Sequence, residues 1–97
     1  MAQVARDTSA GADVDWLLDY LFGQWETLEE IAGEWAAWDR AIQADFLLDW
    51  PVVESHLAAL RLHARDGALS TKQLARVRAL EVLIARLRPV LGHMQHA

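Results

Sequence analysis

The sequence predicts an all-α protein in which a long N-terminal helix and an αα-hairpin, three helices in all, share one core in a homodimer. Three observations carry that prediction. Apolar residues recur at helical spacing through both halves of the chain. A compact stop-and-start signal, Asp66-Gly67 followed by Ser70-Thr71-Lys72-Gln73, divides the second half. The two halves also carry opposite charge. Residues 1–50 hold 11 Asp/Glu and 2 Arg, whereas residues 51–97 hold 3 Asp/Glu and 7 Lys/Arg, so they are built to face each other.

The 97 residues suit one domain, read as 13–91 between loose tails at 1–12 and 92–97. In residues 14–48 the pattern holds one phase at 100° per residue. Leu17, Leu21, Trp25, Leu28, Trp35, Ile42 and Phe46 fall in one sector, and the phase survives Gly23 and Gly33. One unbroken helix follows, roughly 50 Å long, with Asp13 or Asp15 as its cap. The alternative is a break near Gly33, giving a four-helix bundle.

Asp49-Trp50-Pro51 marks the next boundary, because proline suits a helix's first turn and disfavours helical geometry in the residue before it. A helix over 51–65 follows, and Gly67 can take a left-handed conformation at its end. Ser70 and Gln73 then form a capping box, closed by Leu69 and Leu74. The helix they start runs to about Arg88, where Pro89 bends or ends it. Its stripe is Val77, Leu80, Ile84, Leu87 and Leu91, and Ala75, Ala79, Val82 and Leu83 lie outside it. The hairpin is too short to cover the long seam, so a second copy of the chain is the expected partner. Phe22, Leu47 and Leu48 lie off the main stripe and form a candidate second contact patch.

Candidate functional residues fall into two groups. Asp39 sits inside the apolar sector, where an unpaired carboxylate is costly, so it needs a partner. His56, Arg78 and Arg88 are the candidates, and together they would make a buried polar site. Glu26, Glu30 and Glu34 form an acidic face for docking a basic protein partner. No cysteine, no Glu-x-x-His pair, no glycine-rich phosphate loop and no nucleophile–base pair occurs, so no catalytic residue, metal or cofactor is expected. An acidic chain argues against nucleic acid. The absence of an apolar run of membrane length argues against a membrane and for the cytoplasm. One long helix followed by two shorter ones, paired as a dimer, resembles the architecture of the helical chorismate mutases. That family binds a dianion with several cations, some inside the long helix. Here Arg40 is the long helix's one cation, so the likeness implies architecture and not activity.

Overall fold

A computed structural model describes the backbone of residues 2–96 and the side chains of residues 13–96. It holds three α-helices, α1 (Ala2–Ala32), α2 (Arg40–Arg65) and α3 (Thr71–His96), with a 3-10 turn at Trp35–Ala37 and no strand among the described residues. The helices run up, down and up. Trp25 meets Trp50 and Tyr20 meets His56, so α1 and α2 are antiparallel. Asp19 meets Arg76 and Glu29 meets Arg86, so α1 and α3 are parallel. α1 lies closest to both neighbours, and α2 and α3 meet chiefly through side chains.

The helix expected over 14–48 is interrupted. Gly33 and Glu34 donate to the carbonyls of Glu30 and Ile31, three residues back, which tightens and ends α1. Ala37 and Trp38 repeat that spacing, and the extended backbone of Trp38 and Asp39 then turns the chain into α2. Gln43 Nε2 donates to the Trp35 carbonyl at 2.6 Å and ties the turn to the first turn of α2. The rival boundary, a break near Gly33, is therefore where the chain reverses. The boundary at Pro51 is absent. α2 passes through Pro51, which is exposed on its outer side and flanked by buried Trp50 and Val53. A proline inside a helix costs about 3 kcal/mol. The two neighbouring core contacts offset that cost. α3 likewise passes through Pro89 to His96 and buries Leu91 and, within the segment 92–97 expected to be a loose tail, Met94. α1 begins at Ala2, so Asp13 and Asp15 are interior residues and not caps. The side chains of residues 1–12 lie outside the described residues.

The second joint forms as the sequence requires. Gly67 has φ 72°, a left-handed conformation. The Gln73 amide donates to Ser70 Oγ at 3.1 Å, and the Ser70 amide donates to Gln73 Oε1 at 3.0 Å.

The core is one cluster drawn from all three helices and the reversal, with Trp25, Leu18, Leu21, Leu28, Leu57, Leu60 and Leu80 among its most enclosed members. All five expected stripe residues of α3 are in it. Ile42, expected there, is half exposed because the phase used to place it belonged to an unbroken helix. The premise that one long seam outreaches its hairpin fails with that helix, because α2 and α3 have 26 residues each against the 31 of α1.

The two joints predict opposite responses to alanine. A Cβ at Gly67 meets no atom, so Gly67→Ala isolates backbone strain and should lower unfolding free energy by about 1 kcal/mol. Gly33 has negative φ and an ordinary Cβ contact at 3.5 Å, so Gly33→Ala should stay within about 0.5 kcal/mol of wild type. Urea denaturation of both variants checks the contrast.

Candidate functional site

The residues proposed to form a buried polar site are dispersed, and the described core contains no polar or charged residue. Asp39 is exposed at the residue before α2, where its carbonyl accepts from the Gln43 amide and its side chain caps nothing. It had been placed in the core by carrying helical phase across a turn that resets the phase. Arg78 is exposed on α3. Arg88 pairs with Glu54 through two bonds of 2.9 and 3.0 Å, and His56 lies on the α1 side of α2. None of these three reaches Asp39.

Other acidic residues of α1 are spent inside the chain. Glu29 pairs with Arg86, Asp19 with Arg76 at 2.7 Å, and Asp15 accepts from Gln73 at 3.1 Å. Glu26 and Glu30 remain exposed. Glu34 lies beyond the end of α1, where Trp38 Nε1 approaches it at 3.5 Å. The complementary halves thus meet within one molecule, along the α1–α3 seam.

What the sequence did not foretell is how the aromatic rings are arranged. Trp25, Trp50, Phe46, Trp35 and Trp38 form a continuous column with successive centroids 5.0 to 5.8 Å apart. Trp50 Nε1 donates to Glu54 at 3.0 Å, and Arg88 lies 5.4 Å from the centroid of the Trp25 ring. A second cluster lies at the surface. Trp16 and Tyr20 stack at 5.1 Å, and the His56 ring tilts over both. His56 Nδ1 donates to the Val52 carbonyl at 2.7 Å, which fixes that ring.

Beside this second cluster is a cleft of about 320 Å³ between α1 and α2, walled by Tyr20, Phe46, Trp50 and Val53 and rimmed by Gln24, Asp49 and Val52, whose side chain stands at the border of the outward face. At the other end of the bundle, two adjoining hollows share Trp35, Ala36 and His93. One is apolar, against Val90 and Met94. The other is edged by Asp39, Arg40 and Gln43. No group of three or more His, Cys, Asp or Glu side chains able to hold a metal occurs among the described residues. No described helix is long and apolar enough to cross a membrane.

Among the described residues the most exposed large apolar side chain is Leu48, 76% accessible, on the outward face of α2. Val52 and Leu62 on the same helix are 53% and 50% accessible. Phe22 and Leu47, the other residues of the candidate second patch, pack partly against the core. Leu48 alone of that patch stays fully outside, which makes the outward face of α2 the candidate interaction surface. Comparison of the chain with family models, with curated proteins and with solved structures gives no match.

The ion pairs that join α2 to α3 set a pH dependence. Hydrogen bonds from Arg88 hold Glu54 below its ordinary 4.5, and hydrogen bonds from Arg61 do the same for Glu81. A lowered carboxylate pKa contributes stability that is present above the unfolded value and lost as pH falls through the folded value. Unfolding free energy should therefore drop between pH 5 and pH 3, by about 1 kcal/mol or less per pair because the groups are partly exposed. Glu54→Gln should flatten part of that drop, read by urea melts across the pH range.

Proposed function

We propose that this chain is a small helical protein-interaction module that associates with a second copy of itself, a non-enzymatic scaffold acting in the cytoplasm. One observation carries the reading. The core closes within one chain, yet the outward face of α2 leaves Leu48, Val52 and Leu62 in water. An apolar face that the fold does not need to bury is the ordinary mark of a partner surface. Association is then a property of the folded monomer and not a condition of folding. Light scattering on a sizing column, over about 10 to 500 µM, should show a mass rising from 10.9 kDa towards twice that value. A mass fixed at the monomer value across that range would overturn the reading.

A second reading has its own observation, the paired hollows at the reversal, which set an apolar wall of Trp35 and Met94 beside Asp39, Arg40 and His93. A small amphipathic ligand fits that chemistry better than the fully apolar core does. Trp35 and Trp38 would report its binding through their fluorescence. Because Asp39 is exposed and caps nothing, Asp39→Asn should leave the melting temperature unchanged. If this reading holds, Asp39→Asn should weaken ligand binding. Equal binding by both proteins would leave Asp39 without a role.

A further inference from the structure

We infer that the second copy docks through the outward face of α2, with the two α2 helices packed antiparallel about a two-fold axis near residue 53. The inference rests on the self-association reading and adds the surface and the geometry.

At about 100° per residue, Ala44, Leu48, Val52, Ser55, Ala59 and Leu62 fall in one sector about 80° wide. Ala41 is the one other α2 residue there, so the sector holds no charge from one end of the helix to the other. All of these side chains are exposed except Ala59, which is half-buried. Ala41, Leu48, Ser55 and Leu62 recur at intervals of seven. That period keeps residues on one line when a helix coils about a neighbouring helix. Among the described residues nothing uses that line, because α1 and α3 pack on other faces of α2. A seven-residue seam on a helix calls for another helix as occupant.

Size and charge then favour the same helix in antiparallel register. With the axis near residue 53, Leu62 of one copy lies over Ala44 of the other, and Leu48 lies over Ala58, an exposed residue about 40° beyond the sector on its Arg40–Arg65 side. Large residues thus meet small ones, the arrangement close packing requires. Parallel pairing would set Leu48 on Leu48 and Ala44 on Ala44, leaving crowded and empty layers in turn. The flank of the seam on the α1 side carries Asp45 and Asp49 near the start of α2 and His56 and His63 further along. Antiparallel pairing sets Asp49 towards His56 and Asp45 towards His63. Parallel pairing about a two-fold would turn that flank towards the partner's other flank, so the aspartates would not meet the histidines. On the other flank Arg40 of one copy comes opposite Arg65 of the other, a like-charge contact at the outer ends of the paired helices that water screens.

The seam from Ala44 to Leu62 is about 27 Å long and about one helix wide. That footprint is smaller than the roughly 800 Å² per partner of a standard stable interface, so a micromolar, exchanging dimer is expected.

The chain has no cysteine, which makes single-cysteine crosslinking clean. In the antiparallel dimer, two copies of residue 55 are offset by about 6 Å along the axis and two copies of residue 48 by about 15 Å. A short bismaleimide should therefore link Ser55→Cys to itself, fail to link Leu48→Cys to itself, and link Leu48→Cys to Ala58→Cys in a mixture. Sedimentation velocity of Leu48→Glu and Leu62→Glu should show dimerisation weakened at least tenfold. Both sites are exposed, so circular dichroism and thermal melts should match wild type. Efficient self-linking of Leu48→Cys would overturn the antiparallel geometry. A wild-type dimer untouched by Leu48→Glu would overturn this interface while leaving self-association standing. A wild type that stays monomeric throughout would remove both.

Discussion

Trp35 fastens the chain reversal on which the rest of the architecture depends. Its ring is 6% exposed and lies 5.8 Å from both Phe46 and Trp38. Ending α1 and restarting α2 forgoes about four intrahelical hydrogen bonds, each worth about 1 kcal/mol net. Burying a tryptophan removes about 200 Å² from water, worth about 5 kcal/mol as an upper figure. The two quantities are comparable, so the turn is stable only because Trp35 has α2 and α3 to lie against. Without the reversal, α2 could not return along α1. Trp25 would lose Trp50, and the aromatic column would not exist.

Charge then decides which neighbour goes where. α1 and α3 are parallel, so their dipoles are aligned side by side, an unfavourable arrangement. The seam between them is lined by Asp15, Asp19 and Glu29 on one helix and Gln73, Arg76 and Arg86 on the other. These pairs are exposed, and each is worth less than about 1 kcal/mol. Their effect is on register and choice of neighbour more than on stability. A shift of α3 by one turn would break all three contacts together. The α2–α3 seam uses the same device with Arg61–Glu81 and Arg88–Glu54.

Local rules with one physical cause were legible in the amino-acid order. Gly67 takes the left-handed turn, Ser70 and Gln73 form their box, and the stripe of α3 is buried along its whole length. The complementary halves also meet. Features that needed tertiary weighing were hidden. Trp35, Ile42 and Phe46 kept one apparent phase through 33–39, although Trp35 and Phe46 pack together and Ile42 is half exposed, so periodicity gave no sign of the break. Pro51 and Pro89 carry a local cost that Trp50, Val53, Leu87 and Leu91 outweigh, a balance invisible one residue at a time. Asp39 looked buried for the same reason that Ile42 did. The candidate surface was half visible. Leu48 stood out as a residue off the stripe, but its place on the outward face of α2 required knowing that α2 begins at Arg40.

The closed core changes what kind of association this chain can have. Had one long helix run to Leu48, each copy would have depended on the other to fold, and monomers would have been unstable. With the reversal in place, the residues that close the core and the exposed apolar residues lie on different faces of α2. Val53, Leu57 and Leu60 face inward, and Leu48, Val52 and Leu62 face outward. If the outer line is the docking surface proposed above, a mutation on it alters association without altering the fold, and the two respond separately to concentration, salt and pH. Such a division suits a module that exchanges partners, because dissociation exposes a modest apolar seam and leaves the core intact.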